Sequence, residues 1–70
     1  MNIYSEMAAN VWKVLVSEGD RVTEGQAIAI LESMKIEIPV CAPSAGIITT
    51  VAMTEGGAVD EGGLLAVVGE

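Results

Sequence analysis

The chain repeats itself, and the repeat limits the folds open to it more than any other feature. When the sequence is displaced by 37 residues, 11–32 lies over 48–69, and seven of those 22 positions are identical. The identities are Val14/Val51, Glu18/Glu55, Gly19/Gly56, Val22/Val59, Glu24/Glu61, Gly25/Gly62 and Ala29/Ala66. Six more pairs are conservative, among them Val16/Met53 and Ile28/Leu65. Each half reads as a strand, a Glu-Gly turn, a short strand around one Val, a second Glu-Gly turn and another strand. Glycine suits such turns because, without a Cβ, it reaches positive φ free of a clash. Neither half can bury a core alone, so the two must pack face to face. The repeat therefore predicts a sandwich or flattened barrel with quasi-twofold symmetry.

Local patterning points the same way. Trp12, Val14 and Val16 alternate with Lys13 and Leu15, and period-two runs follow at 27–30, 36–40, 49–53 and 64–68. They are short, rich in β-branched residues and bounded by Gly, Asp or Ser, which predicts seven or eight strands and an all-β fold. Glu6 to Ala9 is too short to stand as a helix. At 70 residues the chain has room for one domain, spanning 1–70. With 51% of residues apolar and 19% charged, that domain has a core and is not a disordered tail. The longest aliphatic runs, Ala27 to Leu31 and Leu64 to Val68, fall far short of the ~20 residues that span a bilayer. Met1 is followed by Asn2 and a mixed polar stretch, which is no signal peptide. Met1 beside a full pair of repeats leans towards a free-standing chain.

Charge and composition exclude whole classes of function. Lys13, Arg21 and Lys35 face ten acids, for a net charge of −7. Such a surface repels phosphate backbones and anionic lipid, so no nucleic-acid or membrane role is expected. Histidine is absent, which removes the commonest general base and metal ligand. A lone Cys41 closes no internal disulfide and builds no thiolate zinc site. A reducing, cytoplasmic setting is the natural reading. No catalytic residues and no metal ligands are assigned.

The segment between the repeats breaks local rules. If the runs ending at Glu32 and beginning at Ile36 form a tight hairpin, Met34 and Lys35 take its two central positions. Ser33 then pairs with Ile36, and Glu32 with Glu37. A two-residue hairpin prefers Asn-Gly or Asp-Gly, because a type I′ turn needs positive φ at both central residues. Met and Lys resist that conformation by about 1–2 kcal/mol each. Two glutamates directly opposite each other also repel. Local sequence that disagrees with its own turn marks a place where function is expected. The ordinary alternative is a solvated lysine at a turn. Against it stands an apolar Met34 beside the lysine, at the centre of the pseudo-symmetry.

Other residues read more plainly. Trp12 is expected to pack, half exposed, near a sheet edge. Cys41 reads as a small structural residue whose thiol has no base to activate it. The pairs Gly56-Gly57 and Gly62-Gly63 lack the Gly-Lys-Ser/Thr ending of a phosphate loop. Glu18, Asp20, Glu24, Glu55, Asp60 and Glu61 read chiefly as a solvated face, with docking to a basic partner surface as the alternative.

The run Glu32-Ser33-Met34-Lys35-Ile36-Glu37 resembles the Glu-Ala-Met-Lys-Met core of biotin-carrier domains in the biotinyl/lipoyl attachment family. The likeness covers nearly the whole chain. Glu18-Gly19-Asp20-Arg21-Val22 and Glu24-Gly25-Gln26-Ala27-Ile28 are similar to the family's turn-strand-turn elements. Ala42-Pro43 and Gly46 stand where its Ala-Pro-x-x-Gly turn belongs, and the second repeat is similar to its closing half. The resemblance implies a flattened barrel of two four-stranded antiparallel sheets. It also implies Lys35 as the covalent attachment site of biotin. Glu32, Ser33, Met34 and Ile36 become the residues a biotin protein ligase reads. A monomeric, non-catalytic carrier would then move a carboxyl group between biotin carboxylase and carboxyltransferase components as a swinging arm. Ser33 and Ile36 stand where biotin carriers usually have Ala and Met. Lipoyl domains usually have Asp where Met34 stands, so Met34 favours biotin. Lipoate on Lys35, for acyl or aminomethyl transfer, is the first alternative, and an unmodified structural barrel is the second.

Overall fold

The computed structural model describes residues 1–69, and its elements are all strands. They are β1 (Asn2–Tyr4), β2 (Ala9–Val14), β3 (Arg21–Val22), β4 (Ala27–Ser33), β5 (Ile36–Cys41), β6 (Gly46–Val51), β7 (Ala58–Val59) and β8 (Leu64–Gly69). Two four-stranded antiparallel sheets form, ordered β1-β8-β6-β3 and β5-β4-β2-β7. The flattened two-sheet barrel expected from the repeat is the observed fold. Among the described residues no helix is long and apolar enough to cross a membrane.

The 37-residue displacement carries β2 onto β6, β3 onto β7 and β4 onto β8. It also carries β1 onto the second half of β5, although Asn2-Ile3-Tyr4 and Pro39-Val40-Cys41 share no residue. The structural repeat is thus longer than the identities reveal. Each half needs the other for its backbone hydrogen bonds. The Gly19 amide donates to the Ile48 carbonyl at 2.7 Å, and the equivalent Gly56 amide donates to Val11 at 2.8 Å. The Gly25 amide donates to Ala42 and that of Gly62 to Ser5, both at 2.8 Å. Each Glu-Gly turn therefore clasps backbone of the other half, which explains why the turns are the best-kept part of the repeat.

The core lies between the sheets. Ile28, Ile48, Leu65, Val11 and Val22 are its largest fully buried side chains. Val11 and Ile48 are equivalent, as are Ile28 and Leu65, so the twofold runs through the apolar centre.

One expected phase differs. The alternation puts Trp12 on the same face as Val14 and Val16, yet Val11 and Val16 are buried and Trp12 is out. The β2–β4 register shifts between Val11 and Lys13, which makes Trp12 the extra residue of a bulge. The same shift recurs between Ile48 and Thr50 on the β6–β8 ladder. The bulge is a property of the fold, and period-two counting cannot see it. Cys41 also differs: it is exposed at the end of β5, while its neighbour Ala42 enters the core.

Candidate functional site

Strands β4 and β5 form the longest hairpin, paired from Ala27/Cys41 to Ser33/Ile36. Glu32 and Glu37 are directly opposite each other. Met34 and Lys35 close the turn with φ of 52° and 67°, the only non-glycine residues of positive φ among those described. These are the left-handed values that a two-residue type I′ connection requires. Each costs about 1–2 kcal/mol for an L side chain. The ladder behind the turn over-determines its closure, so the strain persists at the tip.

The geometry turns this segment outwards. Met34 is 91% exposed and Ile36 63% exposed, and Lys35 is exposed between them. Ser33 is half-buried, while Glu32 and Glu37 stand in solvent on one face of the sheet. Beside the tip a shallow groove is lined by Ala8, Asn10, Glu32, Ser33, Met34 and Asp60. The five residues proposed from sequence for attachment and recognition, Glu32, Ser33, Met34, Lys35 and Ile36, are thus contiguous at one protruding end of a hairpin.

The second lysine is differently placed. Lys13 lies on β2, with its Nζ 5.6 Å from the centroid of the Trp12 ring, a cation–π arrangement. Lys35 is presented on a turn, whereas Lys13 stands on a strand beside Trp12. Among the described residues no group of three His, Cys, Asp or Glu side chains is placed to hold a metal ion. What the hairpin offers chemically is a primary amine at a rigid, solvent-facing tip.

Three acids have a task that reading them as a solvated face does not include. A carboxylate oxygen of Glu55 accepts a hydrogen bond from the Val14 amide, and one of Glu18 accepts from Val51. Asp20 accepts from the Ser17 amide within its own turn. The signal was present as the identity of Glu18 and Glu55 in the repeat.

Comparison with known proteins agrees with this geometry. Residues 2–68 match the biotin/lipoyl family model, described as biotin-requiring enzyme. The chain is 49% identical over 65 residues to the biotin/lipoyl attachment protein of Bacillus subtilis, covering 93% of this chain and 89% of that one. It is 43% identical over 67 residues to the biotinylated protein TB7.3 homolog of Mycobacterium leprae, with coverage of 96% and 94%. It matches the solved Kluyveromyces lactis urea carboxylase with a TM-score of 0.89 and 34% identity, over 97% of this chain and 6% of that far longer one. The chain belongs to the biotin/lipoyl attachment family.

Proposed function

We propose that residues 1–70 work as one carrier unit whose attachment point is the Nζ of Lys35, and that the group attached is biotin. The observation that carries this reading is the left-handed Met34–Lys35 turn, which holds an exposed amine on a stiff ladder. The residues fit such a group: attachment asks only for a reachable primary amine, and no side chain of the core is disturbed. The amine attacks an activated carboxyl, an amide forms, the activating group leaves, and the lysine charge is lost. The ligase supplies the activation and takes the proton, because the hairpin holds no acid–base pair suited to it. In this reading Glu32, Ser33, Met34 and Ile36 are what the ligase recognises.

Bound biotin would take up a carboxyl group at a biotin carboxylase site and release it at a carboxyltransferase site. The domain's own contribution is a rigid platform and a tether, holding the group at roughly millimolar effective concentration near both sites. It catalyses nothing itself, works as a monomer and belongs in the cytoplasm. The similarity to urea carboxylase supports carboxyl transfer. Met34 favours biotin over lipoate, because an apolar side chain here, 91% exposed, is a handle that an acid is not.

The test is the intact mass of the chain purified from its own cells, followed by a tryptic map. A biotinyl increment with cleavage blocked at Lys35 supports the proposal. A lipoyl increment at the same site would transfer the carrier reading to lipoate. An unmodified chain would leave a structural module, and an increment on Lys13 would overturn the site.

A further inference from the structure

The quasi-twofold supplies an internal control for the surface. Where two equivalent residues are both exposed, the backbone accepts either side chain, so a difference between them is not demanded by the fold. On the outer face of β5-β4-β2-β7, Glu37, Glu32, Asn10 and Ala58 form one cross-strand row, and all four are exposed. Further from the tip, Trp12 occupies its bulge at 45% exposure, and Leu15 follows β2 at 50%. The equivalent positions in the other half hold Thr49 and Ala52, both exposed. One half thus shows two large apolar side chains where the other manages without them.

Size argues that this face is used. A stable protein contact buries about 800 Å² on each partner. Met34, Lys35 and Ile36 at the tip are too few to supply that area, so an enzyme acting on Lys35 must spread onto an adjoining surface. The outer face of this sheet is continuous with the tip, because β4 and β5 build both. Trp12 lies about 10–15 Å from Lys35 along the strands, well inside such a footprint. Tryptophan is also the residue that most often dominates a contact. Glu32 and Glu37 repel each other across the ladder, and a basic side chain on a partner would relieve them.

We propose that the outer face of β5-β4-β2-β7, with Trp12 and Leu15 as apolar anchors and Glu32 and Glu37 as an acidic edge, is the surface on which the ligase that modifies Lys35 docks. The matching ligase surface is an apolar cleft bordered by Arg or Lys. This rests on the reading of Lys35 as the biotin acceptor.

The test uses the whole domain with purified biotin ligase, ATP and biotin. Trp12→Thr with Leu15→Ala installs the side chains that the equivalent half already carries. The KM for the domain should rise about tenfold or more, with kcat held within about twofold. The thermal midpoint should stay within about 4 °C. Glu32→Gln with Glu37→Gln should raise KM and flatten its dependence on salt. Thr49→Ala, on the opposite sheet, should leave KM unchanged. If the Trp12/Leu15 variant keeps the wild-type KM, or the glutamine pair keeps the wild-type salt dependence, the docking face is wrong while Lys35 stands. If the wild-type domain is not labelled at all, both readings fall.

Discussion

Glu18 and Glu55, equivalent in the repeat, perform the same task on opposite halves of the barrel. The Oε2 of Glu55 accepts from the Val14 amide at 3.0 Å, and the Oε2 of Glu18 accepts from the Val51 amide at 3.2 Å. Strand β7 pairs with β2 only at Ala9 and Asn10, so the far end of β2 has a strand on its β4 side and none on the other edge. The same holds for β3, which reaches β6 only at Gly46 and Ile47. In each half a carboxylate serves the amide that the short strand cannot reach.

A prediction follows for these acids. Glu18→Ala and Glu55→Ala should each lower the unfolding free energy by about 0.5–1 kcal/mol, the range for a charge-assisted bond at an exposed site. Glu→Gln keeps an acceptor oxygen and should cost less than half as much. Urea denaturation of the four single variants measures this. Equal losses for Gln and Ala would mean that charge, and not the hydrogen bond, is what the site uses.

Much of this architecture was legible because repeats and turns are written in residue types. The Glu-Gly turns, the pairings Glu32/Glu37 and Ser33/Ile36, and positive φ at Met34 and Lys35 all follow from spacing and hairpin geometry. The bulge at Trp12 was not legible, because nothing in the sequence separates an extra residue from an alternating one. Its recurrence at Thr49 shows that it belongs to both halves of the repeat. The equivalence of β1 with the end of β5 was also hidden, since both satisfy the same ladder with unrelated side chains. The roles of Glu18 and Glu55 were visible only as identity, because which amide a glutamate serves depends on the opposite half.

Gly25 and Gly62 test the turns themselves. Their φ values are 85° and 82°, and a Cβ added at either would meet nothing within 4 Å. The penalty for a side chain there is therefore backbone strain alone. Gly25→Val or Gly62→Val should cost about 2 kcal/mol, and Asn, which tolerates positive φ, should cost clearly less. Thermal and urea unfolding would read it. A Val variant as stable as wild type would mean that these turns relax into another conformation, contrary to the clasp they make with Ala42 and Ser5.

Lys35→Arg addresses attachment. Arginine keeps the charge and the long aliphatic stem but offers no primary amine to acylate. Labelling by biotin ligase should vanish, with the thermal midpoint unchanged because Lys35 packs against nothing in the core. Lys13→Arg should be labelled like wild type. Persistent labelling of the Lys35 variant would move the site to Lys13, despite its cation–π seat on Trp12.

The choice between biotin and lipoate turns on Met34. At 91% exposure its side chain stabilises nothing within the domain, and its φ of 52° is a cost. Aspartate accepts that conformation more readily, so Met34→Asp should fold at least as well as wild type. A biotin ligase that buries the thioether gains about 1–2 kcal/mol from it. An aspartate in the same place would have to be desolvated without a partner. Biotinylation of Met34→Asp should therefore fall by about tenfold in kcat/KM, while lipoylation is unchanged or improved. Side-by-side rates with the two ligases decide the point. Equal biotinylation of the two forms would make Met34 a bystander. Selection would then have to rest on the turn that presents the amine, and both kinds of ligase would meet the same presentation.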